Sequence, residues 1–154
     1  PPPPHTHTPL CISVHLGGAN PALGSWLTDP LNKSDTPGCA AEADNFNKLA
    51  LEFSKRGAQL VGVSMEDVAA LKESNKNRSN IELLSDEGGA VSKALGAELN
   101  IPLLGKFSAR QTFLLSPEGE VLGKWKEGKN MSNVKTPAHA EEVLAEIDDA
   151  RLSK

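Results

Sequence analysis

From residue 39 onward, polar and apolar positions fall into alternating periods. Ala43, Phe46, Leu49, Ala50 and Phe53 recur at three and four, the spacing of one helix face, and Gly57 after Lys55 and Arg56 marks a stop. A helix over 39–56 is predicted. The stretch AQLVGVS at 58–64 is an apolar run of strand length, as expected of a strand covered on both faces. A second helix is expected from Glu66 to near Asn77, with Val68, Ala69 and Leu71 available for packing, followed by a short strand over 81–84. Ser85 or Asp86 is placed to cap a further helix that runs to Leu95 and stops at Gly96. Residues 97–109 read as a loop, and Ile101, Leu103, Leu104 and Phe107 imply that it packs onto the domain. The apolar runs 111–115 and 121–126 flank Ser116-Pro117-Glu118-Gly119, which has Pro and Gly where a tight turn wants them, so an antiparallel pair is expected. Thr136-Pro137 offers an N-cap with Pro at the first helical position, and Ala140, Val143, Leu144, Ile147 and Ala150 form one apolar stripe for a closing helix.

The N-terminal part follows no such rhythm. In PPPPHTHTP the leading prolines lack a donor and hold the chain extended, so residues 1–9 read as a tail. His5 and His7 have the spacing of two metal ligands, but no third donor lies nearby and no metal site is expected. LCISVHL at 10–16 reads as a strand, with Cys11 and His15 interrupting its apolar character. Residues 17–38 carry too many Gly and Pro for a long regular element, and Trp26 and Leu27 are their most obvious anchors. We therefore divide the chain into an irregular extension, 1–34, holding one strand, and a domain, 35–154. A β-α-β-α portion, a hairpin and a terminal helix is the order found in α/β thioredoxin-like folds, a central mixed sheet flanked by helices, although periodicity alone leaves other α/β arrangements open.

Composition narrows the function. The 154 residues suit one domain, and 4% aromatic content without Tyr implies an aliphatic core. With 20 acidic against 16 basic residues and no basic cluster interleaved with aromatics, no nucleic-acid partner is expected. No apolar run approaches the ~20 residues of a membrane span, and the first residues lack the pattern of a secretory signal. The chain reads as soluble, with any leader already removed. Two cysteines, Cys11 and Cys39, point to reactive or buried thiols rather than a disulfide framework, and the absence of Cys-x-x-Cys argues against a disulfide reductase.

The segment Asp35-Thr36-Pro37-Gly38-Cys39-Ala40-Ala41-Glu42-Ala43 delivers a cysteine to the start of the 39–56 helix. There, free N–H groups and the positive end of the dipole favour the thiolate, the form that attacks peroxide oxygen. The Thr36 hydroxyl is three residues away, and Arg110, just ahead of the strand QTFLL, is the candidate cation to lower the thiol pKa and take charge on the departing oxygen. The competing reading makes Cys39 a small buried hydrophobe and Arg110 a surface charge.

DTPGCAAEADNF, RGAQLVGVSMED, IELLSDEGG, ARQTFLLSPEGEV and HAEEVLAEI, in this order and spacing over residues 35–148, resemble the peroxiredoxin Q family, also known as bacterioferritin comigratory protein. The resemblance implies a thioredoxin-like fold and thiol-dependent reduction of hydrogen peroxide and organic hydroperoxides, without a cofactor. It sets Cys39 on the peroxidatic cysteine, Thr36 on the active-site threonine, Arg110 on the active-site arginine and Glu42 on a frequent glutamate. Two positions depart from the family: Asn32 stands where members have Pro, and Asp44 where many have a resolving cysteine. Cys11 is then either the resolving partner or a structural thiol, and a one-cysteine enzyme reduced by thioredoxin, glutaredoxin or glutathione is the expectation. The alternative is a catalytically weakened subunit that docks into a larger assembly through residues 1–34. The Arg-Gln-Thr-Phe stretch is similar to plastid members, which suggests the chloroplast, with the cytoplasm as alternative.

Overall fold

The computed structural model describes residues 10–14, 37–101, 105–108 and 110–152, and for Cys11 and Cys39 the backbone alone. Thr36, Asn32, Trp26, Leu27, His5 and His7 lie outside the described residues.

The run expected as one helix is two, α1 (Pro37–Lys48) and α2 (Ala50–Lys55), meeting at Leu49. The hydrogen-bond ladder still passes through the join, since Leu49 donates to the Asn45 carbonyl at 3.3 Å and accepts from Phe53 N–H at 3.1 Å. Asp44, Asn45 and Asn47 precede it, side chains that favour partners outside the helix. Asn45 Nδ2 donates to the Val134 carbonyl at 3.1 Å, and Asn47 Oδ1 accepts from Asn80 N–H at 3.1 Å. At the far end Gly57 takes φ 72°; its N–H reaches Ser54 O at 2.8 Å and that of Ala58 reaches Phe53 O at 2.9 Å, the paired bonds that close a helix through a left-handed glycine.

Strand β2 (Gln59–Ser64) leads to α3 (Val68–Asn75), whose N-cap Asp67 accepts from Ala70 N–H at 2.8 Å, and then to β3 (Glu82–Ser85). The next helix is shorter than expected: α4 spans only Ala90–Ala94, because Gly88 and Gly89 intervene and Asp86 caps from outside. The buried Asp86 carboxylate accepts Val91 N–H at 3.0 Å, Ser92 N–H at 2.9 Å and the Ser92 hydroxyl at 2.9 Å. The segment 97–109, expected as a loop, is regular over most of its described residues. It contains β4 (Glu98–Ile101) and β5 (Gly105–Ser108), an antiparallel pair with Leu99 opposite Phe107. Glu98-Leu99-Asn100-Ile101 alternates polar and apolar, the period that a count of apolar residues alone passes over. The hairpin β6 (Gln111–Leu115) and β7 (Val121–Lys126) lies where the turn sequence put it, and α5 (Ala138–Leu152) closes the chain.

The main sheet has the order β3-β2-β1-β6-β7, with β1 (Leu10–Val14) in the middle, parallel to β2 and antiparallel to β6. Its middle strand therefore comes from the segment read as an N-terminal extension. Both faces are covered. Leu60 and Leu114 pack with Phe46, Phe53, Trp125, Val143 and Ile147 under the helices, while Val61, Val63, Phe113 and Leu115 make a second cluster on the other face with Ala97. Each fully buried side chain of this size contributes about 1.5–3 kcal/mol. Along β6 the alternation sets Thr112 and Leu114 on the face that carries α1 and α5, and extended back one step it assigns Arg110 to that face.

Candidate active site

Pro37 heads α1 and has no N–H to offer; the helix itself supplies no acceptor for the N–H groups of Gly38, Cys39 and Ala40. Cys39 thus occupies the electropositive tip of a helix of 12 residues. Glu42 follows three positions later, nearly one turn, so the two residues share a helix face. Glu42 is 1% exposed and its Oε2 accepts from Arg110 Nη1 at 2.5 Å; Arg110 is itself 6% exposed. The guanidinium also donates from Nε to Glu127 Oε2 at 3.2 Å, a carboxylate at the surface. Burying this cation requires such a partner, because an unpaired guanidinium away from water carries a large desolvation cost.

The structure therefore brings Glu42 and Arg110 together and sets Cys39 one turn from Glu42. Thr36 lies outside the described residues. Cys11 sits in β1 level with Leu60 and Leu114, in the middle of the sheet rather than at its edge. Asp44, where a resolving cysteine was the family expectation, is half exposed and accepts from Arg78 Nε at 2.6 Å. Arg78 also donates to the Ser74 carbonyl at 2.7 Å and the Ala40 carbonyl at 3.4 Å, tying the first turns of α1 to the end of α3.

Sequence reasoning missed a buried polar group behind this pair. His139, 1% exposed, lies between Thr112 Oγ1, 2.8 Å from its Nε2, and Glu142 Oε1, 2.5 Å from its Nδ1. Its Nε2 is 4.0 Å from Glu42 Oε1. Burial raises the pKa of the Glu142 carboxyl, but hydrogen bonds from His139 and from the Ser132 N–H and hydroxyl outweigh it and leave the group below the usual carboxylate range. The histidine's burial was legible, its partners were not: His139, Val143 and Ile147 follow at intervals of four, so the histidine stands on the stripe that faces the core. Among the described residues no group of three His, Cys, Asp or Glu is arranged to hold a metal ion, and no helix is long and apolar enough to cross a membrane.

A mixed sheet with a cysteine at the tip of a covering helix, and a buried arginine held against the same helix, agrees with the arrangement that the resemblance implies. Residues 31–123 match the AhpC/TSA family. The chain belongs to this family, in its peroxiredoxin Q branch. A peroxiredoxin Bcp from Xanthomonas campestris is 36% identical over 148 residues, covering 90% of this chain and 87% of the relative. The chloroplastic peroxiredoxin Q of Oryza sativa is 39% identical over 88 residues, but the match spans 56% of this chain and only 40% of that longer protein. Among solved structures, the fold is similar to peroxidoxin BcpB from Mycobacterium tuberculosis, with TM-score 0.73, 25% identity and coverage of 94% of this chain and 80% of that one. It is likewise similar to the bacterioferritin comigratory protein of Xanthomonas campestris, studied for alkyl peroxide reduction, with TM-score 0.70, 30% identity and coverage of 94% and 80%.

Proposed function

We propose that Cys39 is the peroxidatic residue of a one-cysteine peroxidase acting on hydrogen peroxide and organic hydroperoxides. The observation that supports this most is the buried Arg110–Glu42 pair, which fixes a permanent cation on the face of α1 that carries Cys39. In the reaction the Cys39 thiolate attacks the distal oxygen of ROOH; the S–O bond forms as the O–O bond breaks, and the alkoxide leaves and is protonated to ROH. Arg110 and the Thr36 hydroxyl stabilise the charge that develops on the departing oxygen. An external thiol then attacks the Cys39 sulfenic acid, releasing water and forming a mixed disulfide, and a second thiol restores Cys39.

Asp44 supports the one-cysteine reading, since the position five residues after Cys39 offers a carboxylate engaged with Arg78 rather than a second sulfur. Cys11 is then a structural thiol, and the reductant is thioredoxin, glutaredoxin or glutathione. The alkyl peroxide reduction attributed to the Xanthomonas campestris relative supports the organic hydroperoxide arm. For compartment we infer the chloroplast from the plant relatives; the bacterial relative matched over most of its length favours the cytoplasm instead, and imaging a fluorescent fusion of the full gene product decides.

The test is peroxide consumption by purified protein with each reductant in turn. Wild-type and Cys11→Ser protein should turn over, and Cys39→Ser should not. Equal turnover by Cys39→Ser would end the assignment.

A further inference from the structure

A cluster of polar side chains centred on His139 lies beside the Arg110–Glu42 pair. Glu142, held ionised, is an acceptor only, so His139 Nδ1 must carry the proton of their bond at 2.5 Å. In the neutral ring Nε2 is then the acceptor for the Thr112 hydroxyl at 2.8 Å, and in either protonation state this edge of the ring lies 4.0 Å from Glu42 Oε1. The ring is not free to turn: Phe46 meets it edge-on at 5.6 Å and Trp125 at 6.1 Å between centroids. Glu142 is itself anchored by the Ser132 N–H at 3.0 Å and the Ser132 hydroxyl at 2.7 Å. Glu42 thus has its Oε2 on Arg110 and its Oε1 facing a ring whose position is set from three sides.

We propose that His139 is a positioning residue of the peroxidase site: its ring, clamped between Thr112 and Glu142, forms a fixed wall 4.0 Å from Glu42 Oε1 that limits where the carboxylate can lie, and Glu42 in turn orients the Arg110 guanidinium. The two ends of the ring make this separable from a purely structural role. At position 139 a Gln places its amide near where Nε2 stood, toward Thr112 and Glu42, whereas an Asn reaches only as far as Nδ1, toward Glu142. A histidine that merely secures the start of α5 through Glu142 would be rescued by Asn.

The kinetic part rests on the peroxidase reading, so the experiment carries a readout that does not. The side-chain Nε–H resonance of Arg110 is followed by NMR in wild type, His139→Gln, His139→Asn and His139→Leu, alongside the second-order rate with hydrogen peroxide. The expected result is that the Arg110 resonance stays sharp and protected in wild type and His139→Gln and broadens in the other two, whose rates fall by about tenfold, the scale of a misplaced but present group. An unperturbed Arg110 signal in His139→Leu, or rescue by Asn but not Gln, overturns the inference. If wild type itself consumes no peroxide, the peroxidase reading fails while the Arg110 signal still decides the positioning role. Should His139→Leu not fold, Thr112→Val removes the Nε2 partner at similar volume, and a wild-type Arg110 signal there overturns the proposal equally.

Discussion

Two ion pairs leave the same helix, and they should differ sharply in worth. Glu42 and Arg110 are 1% and 6% exposed at their side chains, whereas Asp44 is 51% exposed against Arg78 at 11%. Replacing Glu42 by Gln keeps the volume and removes the charge, which leaves the buried guanidinium short of its counter-ion. Breaking a buried pair in this way costs about 3–5 kcal/mol. Two features lower the figure here: the Gln oxygen still accepts from Arg110 Nη1, and Glu127 Oε2 remains 3.2 Å from Nε. A loss of about 2–3 kcal/mol follows, equivalent to roughly 5–10 °C in Tm for a domain of this size. Asp44→Asn disrupts a pair open to solvent and should cost under about 1 kcal/mol. Urea unfolding followed by tryptophan fluorescence at neutral pH measures both, with slopes expected to match wild type. Comparable losses in the two variants would refute the claim that Arg110 is a desolvated cation held by Glu42.

Further predictions concern the support of the site. Glu142 has a folded-state pKa depressed by its His139 and Ser132 bonds, so its stabilisation is full above the unfolded carboxylate value and is lost as pH falls through the folded one. Urea midpoints of wild type should therefore drop as pH is lowered past about 4.3, and Glu142→Gln should flatten that drop; parallel curves would contradict the network. Gly123→Ala puts a methyl 2.8 Å from Trp125 Cη2, against the ring that flanks His139, and should destabilise by about 1–3 kcal/mol in the same urea assay, with no change expected if the ring is free to move.

Most of the fold was readable because its signals are local. The 3–4 spacing through Phe46 and Phe53, the stop at Gly57 and the Ser116-Pro117-Glu118-Gly119 turn each declare themselves within a few residues. What escaped depended on distant partners. The expected helix is divided at Leu49, and the bonds that Asn45 and Asn47 make beside the join go to Val134 and Asn80, residues far along the chain. The β4–β5 pair was hidden by its shortness, four residues a strand. Within the site, Cys39 came forward from its place at a helix start, Arg110 from its position ahead of β6, and Glu42 from the family resemblance. Thr112 and His139 did not, because an isolated threonine in a strand and a histidine on a helix stripe gain meaning only when β6 and α5 bring them within 2.8 Å.

The account stands or falls on which sulfur peroxide oxidises. Reduced protein given one equivalent of hydrogen peroxide in the presence of a sulfenic-acid trap, then digested and mapped by mass spectrometry, should carry the adduct on Cys39 with Cys11 unmodified. An adduct confined to Cys11, or none on either cysteine while peroxide is consumed, would contradict it.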